Sequence, residues 1–164
     1  MKHLIVIRHA KSSWDHPGLA DFNRPLNQRG LRDAPFMGGV LKFRDALPDR
    51  IVSSPAVRAT ETARLIAAQV GYDPGAIDFR PSLYLPEPAM VMELIRGLDD
   101  AWECVYLIGH NPGFTRLVDK LAQSDIGELP TCGMAAVEFG VESWAHVMAG
   151  AGRLAWLDYP KRHV

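Results

Sequence analysis

Short apolar runs alternate along the chain with longer stretches in which apolar residues recur at partly helical spacing. The first run, residues 4–7, contains four consecutive aliphatic residues and predicts a strand over residues 3–8 that is buried on both faces. Comparable runs predict strands over residues 50–54, 77–80, 103–109, 134–140 and 153–160. The last two are close enough to finish the sheet at one edge, where antiparallel pairing is an option.

The stretches between these strands predict four helices, the first of them between residues 30 and 47, where Pro35, Gly38 and Gly39 weaken the pattern. Strands that alternate with helices are typical of an α/β sheet covered by helices on both faces. We therefore predict one domain over residues 1–164, a Rossmann-like three-layer sandwich with a mostly parallel sheet. The expected helix ends are Ser54, Pro55 and Gly71 for the second helix, Pro88 for the third, and Asn111 with Pro112 for the fourth.

Composition narrows the class of protein without naming it. The formal net charge of −1 argues against a general binder of nucleic acid or of anionic membranes, because such binding needs a positive excess. The two cysteines, Cys104 and Cys132, form no C-x-x-C pair, so a disulfide framework is not expected. The N-terminal apolar run is too short for a signal core or a membrane span. We expect a cytoplasmic monomer.

Unusual side chains follow three of the predicted strands. Arg8 and His9 end the first strand, Arg58 falls near the first turn of the helix after the second, and His110 follows the strand over residues 103–109. Parallel strands present their carboxyl ends on one side of a sheet, and helix N-termini there favour anions. Planar guanidinium groups match phosphate oxygens two at a time. The arrangement therefore predicts a phosphate site.

Each of these residues also has an ordinary interpretation when taken alone. An arginine at a strand end is usually solvated, and a histidine after a strand is usually structural. Arg58 has Glu61 three residues on, so the two are candidates for a surface ion pair on one helix. The coincidence of three loops on one side of the sheet, with a matching chemical set, favours the anion site.

The motifs that carry these residues resemble the histidine phosphatase superfamily. The stretches "IRHA", "SSPAVRATETA" and "IGHNPG" occur in the order typical of that family, and "RPLNQRG" with "LPTCGMAAVEF" makes the chain similar to small SixA-type phosphohistidine phosphatases. The resemblance runs from His3 to about Pro160. One position departs from it: Ala10 stands where the family has glycine, so the backbone freedom special to glycine is lost.

The resemblance implies roles for the site residues. His9 would be the nucleophile that takes the phosphoryl group, and Arg8, Arg58 and His110 would complete the catalytic pocket. Neighbouring guanidinium groups would keep His9 neutral for attack. Three further residues are expected to contribute to substrate binding: Arg24, Asn27 and Asn111. The alternative role of Arg24 is that of an exposed loop arginine, and that of the two asparagines is to cap helices. No cofactor is expected, and the scattered histidines suggest no metal site.

The chain offers no obvious acid to protonate an ester leaving group. Glu87 is the main candidate proton donor, and Asp15 and Asp21 are weaker ones. A phosphoramidate such as phosphohistidine needs less help, and the short chain has no evident insertion to cover the crevice. We therefore expect a metal-independent phosphatase whose substrate is phosphohistidine on a protein. A small-molecule phosphomonoesterase and a non-catalytic phosphate-binding member remain as alternatives, whereas a phosphoglycerate mutase would need a closed pocket.

Overall fold

In the computed structural model, which describes residues 1–164, six strands form one mixed sheet in the order β3-β2-β4-β1-β5-β6. The first four strands of the chain run parallel, β5 is antiparallel to β1, and β6 is antiparallel to β5. The antiparallel edge suggested by the sequence is therefore present. The strands are β1 Lys2–Arg8, β2 Arg50–Ser53, β3 Asp78–Phe79, β4 Cys104–Gly109, β5 Met134–Phe139 and β6 Arg153–Asp158.

Four helices cover the two faces of the sheet and confirm the predicted α/β class. One apolar cluster joins α1 and α2 to one face, and a second joins α3 and α4 to the other. None of these helices combines the length and the apolar composition needed to cross a membrane. The helices are α1 Gln28–Phe43, α2 Val57–Val70, α3 Pro88–Arg96 and α4 Gly113–Ala122.

The aliphatic run of β1 is buried from both sides. Leu4 and Val6 pack with the α3 and α4 cluster, whereas Ile5 and Ile7 pack with the α1 and α2 cluster. Alternate residues of a strand point to opposite faces, so a central strand covered twice requires apolar side chains at every position. Each such side chain contributes about 1.5–3 kcal/mol through removal from water.

Three of the predicted helix starts are wrong by one or two residues. The first helix begins at Gln28, two residues before the predicted limit, and ends at Phe43, four residues before the predicted limit at residue 47. The second helix begins at Val57, and Ser54 is not its N-cap, because the backbone of Ser54 still pairs with β4 through its N–H and the Ile108 carbonyl (2.9 Å). Its hydroxyl oxygen instead accepts from the Ala56 N–H (3.2 Å), which forms a turn ahead of the helix. The predicted stop at Gly71 is confirmed, since this residue adopts the left-handed conformation (φ 74°).

The fourth helix begins at Gly113, after Pro112 rather than with it. Asn111 lies one residue before the N-cap position, and its side-chain oxygen accepts from both the backbone N–H (3.1 Å) and the hydroxyl (2.9 Å) of Thr115. Asn111 therefore still supplies an acceptor to the first turn, although from outside the helix. The predicted opening of the third helix at Pro88 is confirmed.

The strand order creates a crevice between β1 and β4. These two strands are parallel neighbours, yet the helices that follow them, α1 and α4, pack on opposite faces of the sheet. The loops that leave the two strands therefore diverge. In open α/β sheets, ligands bind outside the carboxyl ends of the strands at such a point.

Two glycines of α1 give a matched test of how tightly the loop after β1 packs. A Cβ on Gly30 would lie 2.2 Å from the backbone oxygen of Lys11, whereas a Cβ on Gly39 would meet nothing within 4 Å. Gly30→Ala is expected to destabilise the protein by about 1–3 kcal/mol because that loop must move. Gly39→Ala should stabilise it by about 0.5–1 kcal/mol through helix propensity. Urea unfolding followed by circular dichroism measures both, and equal stabilities would contradict the close packing.

Candidate active site

Backbone hydrogen bonds fix His9 at the end of β1. Its N–H donates to the Gly109 carbonyl (2.9 Å), and its own carbonyl accepts from the Cys132 N–H (3.0 Å). The next N–H, of Ala10, donates to the hydroxyl of Thr62 on α2 (3.0 Å). Ala10 is not among the residues with positive φ, so the backbone here does not require the glycine that the family resemblance led us to expect.

The two histidines singled out by the sequence meet in the crevice. Their ring centroids lie 5.1 Å apart, and His9 and His110 are only 7% and 5% exposed. His110 follows β4, and its Nε2 lies 2.8 Å from the hydroxyl oxygen of Ser54, at the end of β2. Three neighbouring strands therefore contribute to one small region.

A single hydrogen bond defines the protonation of the His9 ring. Its Nδ1 lies 2.6 Å from the carbonyl oxygen of Ala10, and since a carbonyl only accepts, Nδ1 must carry the hydrogen. In the neutral ring, Nε2 then holds the free lone pair. This nitrogen is the one available for bonding to an electrophile.

Burial and surrounding charge keep both rings neutral at physiological pH. Burial lowers the pKa of His9 to about 3, and repulsion from His110, Arg58 and Arg8 acts in the same direction. Burial also lowers the pKa of His110 to about 4, with a further contribution from Arg58 and an opposing one from Asp21. A neutral imidazole with a free lone pair is a competent nucleophile.

Arg24 and Arg58 are both buried and converge on the carboxylate of Asp21. Arg58 donates to the backbone oxygen (2.7 Å) and to Oδ2 (3.0 Å) of Asp21, and Arg24 donates to Oδ1 (2.9 Å). The alternative pair between Arg58 and Glu61 is absent, because Glu61 instead accepts from the Leu26 N–H (3.0 Å). At 8% exposure, Arg24 is not a solvated loop arginine either.

Asp21 is the ionised partner that joins these groups. The Tyr84 hydroxyl donates to its Oδ2 (2.7 Å), and this bond, followed by those from Arg58 and Arg24, lowers the pKa of Asp21 to about 2. Tyr84 also places its ring edge-on to His110, with centroids 5.5 Å apart. The Asp21 carboxylate is therefore charged at neutral pH and is linked to the His110 ring through Tyr84.

Arg8 supplies a third guanidinium group on the other side of the crevice. Its Nη1 donates to the Leu129 carbonyl (3.0 Å) and lies 3.6 Å from a carboxylate oxygen of the exposed Glu128. Its Nε and the Nδ1 of His110 are buried without a hydrogen-bond partner in the protein, and Arg50 holds the only other such side-chain nitrogen. Buried unpaired nitrogens of this kind are positions where a ligand can supply the missing acceptor.

Of the remaining predicted site residues, Asn27 and Asn111 bond to nearby backbone, whereas the Glu87 side chain does not. The Asn27 side chain caps α1 through the Gly30 N–H (2.9 Å). Asn111 bonds the Leu129 carbonyl (2.9 Å) and, with Arg8 and Arg116, lines a cavity of about 360 Å³. Glu87, by contrast, is exposed at the start of α3: its backbone carbonyl accepts from the Val91 N–H (3.1 Å), but its side chain makes no hydrogen bond or salt bridge. No group of three His, Cys, Asp or Glu side chains is placed to hold a metal ion.

Sequence reasoning missed three contributors to this arrangement. Ser54 was expected only as a cap, and Thr62 and Tyr84 were not considered. The position of Ser54 directly after a strand was a usable signal, because it shares the carboxyl edge with the other candidates. Nothing local distinguishes Tyr84, which reaches Asp21 across 63 residues of sequence.

Comparison with known proteins identifies the family. The model of the histidine phosphatase superfamily (branch 1) matches residues 4–83. An uncharacterised chloroplastic protein of Arabidopsis thaliana is 31% identical over 163 residues, which cover 94% of this chain and 74% of the relative. An uncharacterised Mycobacterium tuberculosis protein is 32% identical over 165 residues, which cover 94% of this chain and all of the relative.

Solved structures with a similar fold agree with this family assignment. The protein histidine phosphatase SixA, in complex with tungstate, matches with a TM-score of 0.86 over 99% of both chains at 21% identity. A SixA protein from Agrobacterium tumefaciens matches with a TM-score of 0.81 over 97% of this chain and 98% of the other, at 25% identity. A mycobacterial glucosyl-3-phosphoglycerate phosphatase is more distant, with a TM-score of 0.73 over 98% of this chain and 100% of the other at 15% identity. The chain belongs to the histidine phosphatase superfamily and is a phosphatase.

The low pKa values of the two histidines predict a loss of stability in mild acid. Each native pKa, about 3 for His9 and about 4 for His110, lies below the unfolded value of about 6.5. Below pH 6.5 the unfolded chain therefore binds more protons than the native protein, which costs up to about 1.4 kcal/mol per pH unit for each histidine. Urea unfolding between about pH 7 and about pH 5 measures this slope.

His9→Asn and His110→Asn provide the comparison for that slope. Each variant lacks one of the two depressed histidines, so its stability should fall less steeply than that of the wild type over the same pH range. Identical slopes in the wild type and both variants would show that neither ring is held neutral.

Proposed function

We propose that this phosphatase hydrolyses phosphohistidine on protein substrates, without a metal ion, through a phosphorylated His9 intermediate. In the first step, the lone pair of His9 Nε2 attacks phosphorus, and the P–N bond of the substrate breaks. The leaving imidazole takes the bonding electron pair and retains the proton on its other nitrogen. In the second step, water attacks phosphorus and the electron pair of the P–N bond returns to Nε2. One water proton is released, and inorganic phosphate leaves.

The three guanidinium groups are suited to stabilise the transferred phosphoryl group. Phosphoryl transfer has a loose transition state with charge on the equatorial oxygens, so catalysis rests on positioning and electrostatic stabilisation. Each guanidinium has five N–H donors. Arg58 uses two hydrogen bonds within the protein and Arg24 uses three, so both keep donors for a ligand. Permanently charged arginines provide this stabilisation without a metal ion.

The state of the carboxyl groups is the observation that supports a phosphohistidine substrate. An ester leaves as an alkoxide and needs a proton donor, which must still hold its proton near neutral pH. Asp21, the carboxyl group joined to the site arginines, has a pKa of about 2 and is therefore ionised. Glu87 has no contact that fixes it toward the site. A substrate whose leaving imidazole already carries a proton, on the ring nitrogen that is not bonded to phosphorus, fits this site better than an ester.

Turnover of two substrates in the presence of EDTA tests the proposal. Phosphohistidine on a protein or peptide is expected to be the better substrate by kcat/KM, and p-nitrophenyl phosphate the poorer one. EDTA should change neither rate. A clear preference for small phosphate esters would instead favour the phosphomonoesterase alternative, and Glu87→Gln would then be the first variant to measure.

The phosphoenzyme is tested directly by labelling. A brief reaction with ³²P-phosphohistidine substrate, quenched in base, should leave acid-labile label on the wild type and none on His9→Asn. His16→Asn, which changes another histidine of the loop after β1, should retain both label and turnover. Full turnover by His9→Asn would exclude the covalent route.

A pair of arginine variants on α2 tests charge stabilisation. Arg58→Ala is expected to lower kcat/KM at least about 100-fold, by analogy with the loss of one preorganised donor. Arg64→Ala removes an exposed arginine of the same helix and should leave kcat/KM near the wild-type value. Similar rates for the two variants would place Arg58 outside the catalytic machinery.

A further inference from the structure

Asp21 has a free acceptor position at the mouth of the site. An ionised carboxylate offers about four lone-pair positions, and Arg24, Arg58 and Tyr84 occupy three of them. The Asp21 side chain is 52% exposed, in contrast to the buried arginines that hold it. One acceptor position is therefore left for a donor that enters from solvent.

The geometry of in-line transfer places the leaving group on this side. His9 is buried at the bottom of the crevice, and the attacking and leaving atoms lie on opposite sides of phosphorus. The leaving group therefore faces the open mouth. The half-exposed Asp21 carboxylate lies on this solvent side, and Tyr84 links it to His110. The Tyr84 hydroxyl donates to Asp21 Oδ2 (2.7 Å), and the Tyr84 and His110 ring centroids lie 5.5 Å apart.

We propose that the Asp21 carboxylate accepts a hydrogen bond from the protonated ring of the leaving histidine and so determines specificity for phosphoramidates. This inference rests on the proposed function. The attraction keeps the leaving nitrogen heterocycle protonated while the P–N bond breaks, so the ring departs neutral. The same negative charge repels a phenolate or alkoxide that develops in its place. Asp21 thus favours a leaving group that is cationic while bonded to phosphorus and departs neutral over one that departs as an anion.

A purely structural role for Asp21 makes a different prediction. If the carboxylate only holds Arg24 and Arg58 in place, its loss would weaken binding of any phosphoryl group and lower turnover of all substrates alike. If it acts on the leaving group, the two substrate classes separate. Inorganic phosphate, which has no leaving group, reports on the phosphate pocket without any contribution from a leaving group when measured as a competitive inhibitor.

The experiment compares Asp21→Asn and Tyr84→Phe with the wild type. For each protein, kcat/KM is measured on a phosphohistidine peptide and on p-nitrophenyl phosphate, together with the inhibition constant of inorganic phosphate. Asp21→Asn is expected to lower the ratio of kcat/KM for the phosphohistidine peptide to kcat/KM for p-nitrophenyl phosphate by about 10- to 100-fold. This range corresponds to the loss of one charge-assisted hydrogen bond. Tyr84→Phe keeps the carboxylate and should leave that ratio within about 3-fold of wild type.

The possible outcomes separate the inference from the proposed function. A fall in the ratio for Asp21→Asn, with phosphate inhibition no weaker than in the wild type, supports the inference. An unchanged ratio with weaker phosphate inhibition shows that Asp21 acts only through the arginines, and it overturns the inference while phosphohistidine turnover by the wild type stands. A wild type that hydrolyses p-nitrophenyl phosphate but not phosphohistidine overturns the proposed function and this inference together.

Discussion

The burial of positive charge at the carboxyl edge of the sheet is the constraint on which the site depends. Arg24 and Arg58 are both less than a tenth exposed, and a buried cation is costly unless it is paired and hydrogen bonded. Asp21 meets this requirement for both at once, while Ser12 and Ser13 accept further bonds from Arg24. The loop between β1 and α1 is therefore held in its path by the charges that it helps to bury.

The neutral state of the histidines follows from the same concentration of charge. His9 and His110 are withdrawn from water beside guanidinium groups, so a proton on either ring would add another unpaired cation to the site. The hydrogen bond from His9 Nδ1 to the Ala10 carbonyl then decides which nitrogen is free. The end of β1, the surrounding burial and one backbone carbonyl together leave His9 as a neutral ring whose Nε2 holds a free lone pair.

The features predicted correctly from the sequence are those that depend on local pattern and on parallel topology. Four aliphatic residues in a row were sufficient to predict β1 as a strand buried on both faces, and the alternation of strands and helices was sufficient for the fold class. Parallel strands align their carboxyl ends, which is why Arg8, His9 and His110 were expected in one region before any contact was known.

The features that the sequence did not reveal depend on long-range contacts of loops. Asp21 bonds to Arg58, 37 residues away in sequence, and to Tyr84, 63 residues away. No periodic pattern in the sequence predicts these contacts. Glu61 was the acid nearest to Arg58 on the helix, yet the tertiary fold supplied Asp21 in its place. The small errors at Ser54 and Asn111 have a related origin, since β2–β4 pairing and the bonds to Thr115 shifted both helix starts.

The Asp21 carboxylate can both hold the arginines in place and act on the leaving group, because each arginine has more N–H donors than its bonds to Asp21 require. Arg58 donates two hydrogen bonds to Asp21, and each guanidinium has five N–H groups, so donors remain for the proposed phosphoryl group while the carboxylate stays in place. Two anions on one set of arginines nevertheless repel each other, and a cationic leaving group between them relieves that repulsion. The electrostatic repulsion between Asp21 and a bound phosphoryl group is therefore smallest for a substrate whose leaving group carries a positive charge.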